Sequence, residues 1–322
     1  MTEARGTVAT RAAVDGELLS CYGAAIAAYL DALGADWLDV LGRDSTLRLR
    51  SAGEGVYAFR HLPAGLRAVD GPLPLERTGA HTAPDAVAGI EAELRSAGAV
   101  IVVGDAFHLP WLTAHRRRHA VHWFVLDGRW HVRDEFAATD DLGRQQPWHG
   151  GVAAADLASL LAAPSQIDPV ERLQDRHAFG DEEPPRDEPY QWYRRRTGER
   201  PAPDPGGGWL AGPAAVRALA RHFAVRGHRA DAYLQAEELW TAARQRLLHS
   251  RRHPDSAALA ALAEQWRGLP MLLRYARLSV DRPGRARHAT VAEALRRLAD
   301  LEEAARPAGA PDRTPDPTAP AR

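Results

Sequence analysis

The stretch VHWFVLDGRWHVRDEF, residues 121–136, has the pattern of two short strands joined by a turn at Asp127-Gly128. A two-residue loop at that turn would mix apolar and polar side chains on one face of the hairpin. A register centred on Gly128 instead makes one face apolar and ends it with His122 opposite Asp134. Because a register that groups apolar side chains is favoured, we predict that these two residues pair directly.

The turn residues support the register centred on Gly128 less strongly than the strand residues do. A three-residue loop usually has glycine in its third position, and Arg129 occupies that position here. A β-bulge on either strand would produce the same offset. The hairpin is therefore predicted from its faces, with the loop conformation left open.

The segments around the hairpin predict an α+β unit over residues 12–163. The run from Ser20 to Leu33 has helical composition, with Ser20 as its N-cap and Gly34 as its stop. Residues 83–98, APDAVAGIEAELRSAG, predict a second helix, and the continuous apolar run AVIVVGD that follows predicts a buried strand.

The remainder of the chain consists of three segments that differ in composition. Residues 164–208 are rich in Pro, Gly and charge, which predicts a linker, although three of the aromatic residues in this segment suggest that part of it packs on something. Residues 209–306 are predicted to form an all-α bundle of four or five amphipathic helices. The last segment, 307–322, is polar and Pro-rich and is predicted to be a disordered tail. The three aromatic residues that suggest packing of the predicted linker are Tyr190, Trp192 and Tyr193.

Composition excludes several classes of function. The 322 residues contain 42 acidic and 41 basic side chains, so the formal charge of −1 predicts no binding to nucleic acid or to an anionic membrane. All the basic residues are Arg, which excludes a lysine nucleophile. The single cysteine forbids an internal disulfide, and the sequence pattern predicts neither a leader nor a membrane-spanning helix. We therefore expect a cytoplasmic protein.

Cys21 is the only cysteine, and it lies at the start of the first predicted helix. The positive end of a helix dipole lowers the pKa of a thiol, so this position suits a nucleophile. Such a nucleophile needs a base and a group that orients the base. We predict His122 as the base and Asp134 as the orienting carboxylate. His119 competes for the role of base, but it adjoins the run HRRRH, which is typical of a solvated loop.

Three motifs occur in order along the chain: LLSCYGAAIAAYL at 18–30, VIVVGDAFHLPW at 100–111 and HAVHWFVLDGRWHVRDEF at 119–136. Followed by a helical C-terminal region, they resemble the butirosin biosynthesis protein H family. Its members are papain-like acyltransferases of natural-product pathways, related more distantly to bacteriocin-processing cysteine peptidases. The resemblance implies a papain-like domain followed by the helical bundle, with Cys21, His122 and Asp134 as the catalytic triad.

The resemblance also implies the chemistry. In that family an acyl or aminoacyl group moves from a carrier-protein thioester to the enzyme thiol and then to an amine. The implied partners are an acyl or peptidyl carrier protein and a small-molecule amine. No cofactor is implied, because phosphopantetheine enters only as part of the donor. The open alternatives are a cysteine hydrolase (thioesterase, amidase or peptidase) on the same triad, and a non-catalytic binding or scaffold protein with an inert Cys21.

One departure from the related peptidases concerns the oxyanion. They place a Gln about six residues before the cysteine, and Asp15 occupies that position here. The oxyanion would then be bound by the backbone N–H of Cys21 and a second donor that the sequence does not identify. Because losing such a donor typically costs about 10²–10³ in rate, this favours the transferase over the peptidase.

Four residues are candidates for substrate binding: Tyr22, Asp105, His108 and Trp111. Asp105 could accept from a substrate amine or could cap its strand, and His108 could contact substrate or pack beside Trp111. The run from Arg116 to His119 could dock an acidic carrier or its phosphate, although an exposed loop without that role is favoured.

Other functional classes lack support in the sequence. The 14 His residues show no metal-ligand spacing such as HExxH, and no Gly-rich phosphate loop follows a strand. We therefore predict neither a metal site nor nucleotide binding. Large apolar residues of the C-terminal region are expected in a bundle core. That region could cap the active site or form the interface of a homodimer.

Overall fold

The computed structural model describes residues 13–62, 66, 73–128, 130–162, 175, 178, 187–196, 208–281 and 287–305. It is a mixed helix and sheet structure with a helical C-terminal region, as predicted for the α+β class. The helices are α1 (Cys21–Ala32), α2 (Trp37–Leu41), α3 (Ala83–Ala97), α4 (Leu157–Leu161), α5 (Pro213–Arg226), α6 (Ala236–Arg252), α7 (Ala257–Ser279) and α8 (His288–Ala304). The strands are β1 (Arg48–Gly53), β2 (Val56–Arg60), β3 (Leu75–Ala80), β4 (Ala99–Asp105), β5 (Val121–Asp127), β6 (His131–Asp134), β7 (Ala138–Asp140), β8 (Gly143–Gln145), β9 (Trp148–Gly151), β10 (Tyr190–Arg195) and β11 (Leu210–Ala211).

Six strands form the main sheet in the order β3-β10-β4-β5-β6-β9, and every pair is antiparallel. Strand β10 lies between β3 and β4, where Trp192 pairs with Thr78 and with Val102. The prediction of a linker over 164–208 is therefore wrong for 190–195. Tyr190, Trp192 and Tyr193 lie in this strand and pack in the two cores, as these aromatic residues suggested, whereas the average composition of 164–208 conceals the strand.

The predicted helix boundaries around the site follow from their capping residues. Ser20 precedes α1, and its hydroxyl accepts from the backbone N–H of Gly23 at 3.2 Å. Thr82 caps α3 in the same way, and Gly98 ends that helix with a left-handed φ of 77°. These local signals place the start of α1, and so the position of Cys21.

Both faces of the main sheet are buried. One face packs against α1, and the other packs against α3 and α4. Because successive residues of β4 and β5 point to opposite faces, their continuous apolar runs supply both cores. The α1 face includes Ile101, Val103, Trp123 and Val125, and the opposite face includes Val100, Val102, Phe124 and Leu126.

The hairpin register differs from the predicted one by two residues. Leu126 pairs with Val132 and Val125 with Arg133, so His122 does not lie directly opposite Asp134. The chain needs a longer loop than the sequence suggested, with Trp130 in the left-handed region at φ 56°. A slip of two residues keeps each side chain on its predicted face, so His122 and Asp134 become diagonal neighbours on one face.

The C-terminal region contains four long helices, α5 to α8, as predicted. Their core also includes Leu47, Leu49 and Phe59 from β1 and β2, and β11 pairs with β1. The predicted boundary at residue 163 is therefore wrong for the β1–β2 hairpin, which packs with the helices. The predicted tail, 307–322, lies outside the described residues. Across the described chain, no helix combines the length and apolar character of a membrane-spanning segment.

Candidate active site

A buried histidine–carboxylate pair lies where β5 begins and β6 ends. His122 Nε2 is 2.7 Å from Asp134 Oδ2, and the two residues are 4% and 1% exposed. Diagonal neighbours on one face of an antiparallel pair lie within reach of long side chains, which explains the contact despite the changed register. If the neutral ring donates from Nε2 to the carboxylate, Nδ1 has the free lone pair of a base.

Two further donors fix the carboxylate of Asp134. The indole N–H of Trp111 donates to Oδ2 at 2.8 Å, and the backbone N–H of Phe136 donates to Oδ1 at 3.1 Å. The ring of Trp111 stacks on Trp148 with a centroid distance of 4.6 Å. The carboxylate is therefore held in one orientation, which in turn fixes the imidazole of His122.

Cys21 begins α1, but its ionisation differs from our expectation. The pKa of the thiol is raised from 9.0 to about 12, first by burial and then by the negative charge of Asp134. The prediction of a lowered pKa is wrong. A helix dipole contributes about 0.3–1 kcal/mol, which lowers a pKa by less than one. Burial and the charge of Asp134 raise the pKa by more than this.

Backbone donors place the Cys21 sulfur near the start of β5. The N–H groups of Tyr22 and Trp123 hydrogen-bond to the thiol and act to lower its pKa. Trp123 directly follows His122 along β5. Among the described residues, no hydrogen bond joins the thiol to His122 itself. Catalytic hydrogen bonds often tighten only when substrate binds, so the arrangement is compatible with proton transfer between them.

Arg244 of α6 is a part of the site that sequence reasoning missed. Its guanidinium donates to the backbone carbonyls of Gly16 and Leu19, just before Cys21, and to the carbonyl of Ala137 at 2.9 Å, just after Asp134. Burial lowers the pKa of Arg244 to about 10, so the group stays charged at neutral pH. The side chain therefore ties the nucleophile segment to the carboxylate segment.

Asp175 is a second residue that sequence reasoning missed, because it lies in the predicted linker. It accepts from the indole N–H of Trp123 at 2.8 Å and pairs with Arg77 at 2.5 Å. Its charge also acts to raise the pKa of Cys21. No local pattern marks this residue, because its partners are distant in sequence.

Asp15, six residues before Cys21, provides no side-chain donor for an oxyanion. Its carboxylate accepts from the backbone N–H of Glu17 at 3.2 Å and pairs with Arg251 of α6. An ionised carboxylate is only an acceptor and cannot bind an oxyanion. The first-turn N–H of Cys21, which has no partner within the helix, is the nearest backbone donor for that purpose.

The four substrate-binding candidates occupy different places. Tyr22 packs its ring on Trp123 at 6.1 Å and directs its hydroxyl to Ser20 and Thr241, with burial holding its pKa well above the usual value. Trp111 supports Asp134, as described above. Asp105 is 2% exposed and caps the turn after β4, as its alternative interpretation predicts. His108 is exposed and contacts Phe107 at 5.2 Å.

The basic run before β5 is partly neutralised. Arg118 pairs with Asp140 at 2.9 Å and with Asp141 at 3.6 Å, and Arg117 donates to the carbonyl of Leu142. These contacts hold the run against the β7–β8 hairpin. His119, the alternative base, is instead bonded to Asp105.

Within the described residues, no cluster of three or more His, Cys, Asp or Glu side chains is arranged to bind a metal ion. The site consists of a thiol at the start of α1, a histidine–carboxylate pair on β5 and β6, and an arginine that joins the segments before Cys21 and after Asp134. In comparisons with known proteins, no protein-family model matches this chain, and no curated protein matches it.

Proposed function

We propose that this chain is a cysteine-dependent acyltransferase with a papain-like Cys21–His122–Asp134 triad. The observation that carries the proposal is the buried 2.7 Å contact between His122 and Asp134, together with the hydrogen bond from the backbone N–H of Trp123, the next residue, to the Cys21 thiol. A nucleophile, a base and an orienting carboxylate are the three parts that covalent acyl transfer requires.

In the first half-reaction, His122 Nδ1 takes the proton of Cys21 as the sulfur attacks a thioester carbonyl. The carbon–sulfur bond to the donor then breaks, and the donor thiol leaves with the proton from His122. A thiol with a pKa of about 12 is protonated at rest. Deprotonation therefore accompanies attack, and Asp134 stabilises the imidazolium that forms.

In the second half-reaction, an amine attacks the Cys21 thioester. A carbon–nitrogen bond forms, the carbon–sulfur bond breaks, the amine nitrogen loses one proton and the sulfur regains one. No redox step is involved. The donor class is a carrier-protein thioester and the acceptor is a small-molecule amine. Both assignments follow from the sequence resemblance.

One observation favours a second candidate, a non-catalytic protein with an inert thiol. Reactive cysteines usually have a lowered pKa, whereas burial and Asp134 raise that of Cys21. The triad hypothesis requires that His122 removes the thiol proton during the reaction despite the raised pKa of Cys21. The inert-thiol hypothesis assigns no chemical role to His122.

Acyl-enzyme formation tests the proposal directly. Purified protein is mixed with acetyl, benzoyl and glycyl thioesters of N-acetylcysteamine, and its intact mass is followed over time. The expected result is a gain of one acyl mass in the wild type and no gain in Cys21→Ala. Absence of a Cys21-dependent gain with all three thioesters would contradict the proposal.

Addition of glycinamide separates transferase from hydrolase. A transferase forms the acyl-glycinamide and loses the acyl mass faster as the amine concentration rises. Release of free acid at a rate independent of the amine would instead assign a hydrolase. Exposed Arg217→Ala, on the far helix α5, is the matched control and is expected to behave as the wild type.

A further inference from the structure

Helix α7 exposes three large apolar side chains in one row. Met271, Tyr275 and Leu278 are 49%, 50% and 56% exposed, and their spacing of four and then three residues places them on one face of the helix. Another face of α7 is buried in the helical core, at Leu262, Trp266, Leu269, Leu273 and Ala276. Because large apolar side chains grouped on a surface often mark an interface, the exposed row is a candidate contact with another protein surface.

The same row continues towards the start of α7 with smaller residues and one acid. Counting back from Met271 in steps of three and four gives Gly268, Glu264, Ala261 and Ala257, all of which are exposed. A Cβ added to Gly268 would meet nothing within 4 Å. The row therefore has the alternating spacing by which two helices pack along a seam, with open space in one half and large side chains in the other.

Two copies of this row complement each other when the two helices run antiparallel. If Met271 of one copy lies opposite Gly268 of a second copy, the same register sets Leu278 opposite Ala261. The large side chains of each copy then face the small residues of the other, and a two-fold axis repeats the arrangement on both sides. A parallel pair would instead place each residue against its own counterpart, so that large side chains meet and the space beside Gly268 stays open.

The charges along the row favour the same orientation. In the antiparallel register, Tyr275 of one copy lies opposite Glu264 of the other, and the adjacent Arg274 is within reach of that carboxylate. Arg274 is exposed and forms no ion pair with any other residue that the structure describes. Glu264 then lies between Arg274 of the second copy and Arg267 of its own helix, which is 3.4 Å away. A parallel pair would instead set the two Glu264 carboxylates against each other, which is unfavourable.

We propose that this face of α7 is the interface of a homodimer, in which the two α7 helices pack antiparallel about a two-fold axis between Gly268 and Met271. The paired residues 261–278 cover about 25 Å of helix. A single seam of that length is smaller than the interface of a permanent dimer, so we expect a reversible dimer with a dissociation constant of about 10–100 μM. The inference does not depend on the proposed acyl transfer.

Sedimentation equilibrium of the full chain between about 1 and 300 μM measures the association. We expect the average mass of the wild type to rise towards that of two chains. Met271→Arg adds a cation from each copy beside Arg267 and Arg274, and should raise the dissociation constant about tenfold or more. Val225→Arg, at an apolar residue of α5 that is 70% exposed, is the matched control and should associate as the wild type does. A wild type that stays monomeric, or an effect of Met271→Arg no larger than that of the control, would overturn the proposal.

Engineered cysteines test the orientation. Ala261→Cys and Leu278→Cys are each made in a Cys21→Ala background and are oxidised separately and as a mixture. A disulfide needs Cα atoms about 4.4–6.8 Å apart, so antiparallel pairing should cross-link the mixture into a dimer and leave each variant alone uncross-linked. Dimers formed by either variant with itself, or a mixture that does not cross-link, would overturn the antiparallel register. Neither measurement uses the Cys21 thiol, so a failure here leaves the proposed function untouched.

Discussion

Arg244 donates from the helical C-terminal region to the carbonyl of Ala137, three residues after Asp134, at 2.9 Å. The same guanidinium contacts the carbonyls of Gly16 and Leu19 before Cys21. Its carbon also lies 3.7 Å from the ring centroid of Trp240. The helical region therefore contributes to the geometry of the site, in addition to having its own core.

Replacement of Arg244 should weaken both the fold and the proposed activity. Hydrogen bonds to charged groups contribute about 1.5–3 kcal/mol each, but water can replace some of them, so we expect Arg244→Ala to lower the free energy of unfolding by about 2–4 kcal/mol. Urea denaturation measures this change. The control is Arg251→Ala, which removes a half-exposed ion pair with Asp15 and should cost less than about 1 kcal/mol. Equal effects of the two variants would show that Arg244 does not join the segments.

The raised pKa of Cys21 predicts slow alkylation of the resting protein. A pKa of about 12 in place of 9.0 lowers the thiolate fraction at neutral pH about 1000-fold. The rate of reaction with iodoacetamide should rise as the pH rises, tenfold per pH unit up to the stability limit of the protein. A peptide cysteine is the reference. A rate that is independent of pH between 6 and 8 would instead indicate a thiolate at rest.

Asp134→Asn should raise the rate of Cys21 alkylation and lower the rate of Cys21 acylation. The neutral amide removes a negative charge that raises the pKa of Cys21, so alkylation at pH 8 should become faster. The same change removes the group that orients His122, so Cys21 acylation by a thioester should become about 10²-fold slower or more. Intact mass measures both reactions. A decrease of the alkylation rate would contradict the prediction, and an unchanged circular dichroism spectrum excludes unfolding as the cause of faster alkylation.

The sequence predicts those parts of the fold that depend on local signals. The start of α1 follows from Ser20, the end of α3 from Gly98, and β4 from a continuous apolar run. The meeting of His122 and Asp134 is also predictable, because side-chain alternation preserves the face when the register shifts by two. The exact pairing is not predictable, since it depends on the loop through Trp130.

Contacts between distant segments could not be predicted. All 41 basic residues are Arg, so nothing in the sequence distinguishes Arg244 from the others. Asp175 and β10 lie in a segment whose Pro-rich composition resembles a linker. The pKa of Cys21 depends on burial under other elements, whereas the sequence shows only its helix position. These features arise from packing, which a single sequence does not encode locally.

Trp111→Phe should distinguish the hydrogen bond from Trp111 to Asp134 from the packing of the Trp111 ring. The variant retains a smaller aromatic ring against Trp148 and loses the indole N–H that donates to Asp134 at 2.8 Å. Because one hydrogen bond to a charged group is lost, we expect Cys21 acylation to slow about tenfold with a small loss of stability. Trp148→Phe, which alters the same stack without that hydrogen bond, is the matched control. Equal rates in both variants would argue against a role for the indole N–H.

Gly16 should tolerate no side chain, because it lies where the segment before Cys21 meets the end of β6. A Cβ built at this position would be 1.6 Å from the carbonyl oxygen of Glu135, far inside van der Waals contact. Gly16→Ala must therefore push the nucleophile segment away from the residue that follows Asp134. We expect the free energy of unfolding to fall by more than about 2 kcal/mol. The acylation rate of the protein that remains folded should fall as well. Gly151→Ala, where nothing lies within 4 Å of the added carbon, should leave both unchanged. If Gly16→Ala were acylated at the wild-type rate, contact between the two segments would not be needed for Cys21 to react.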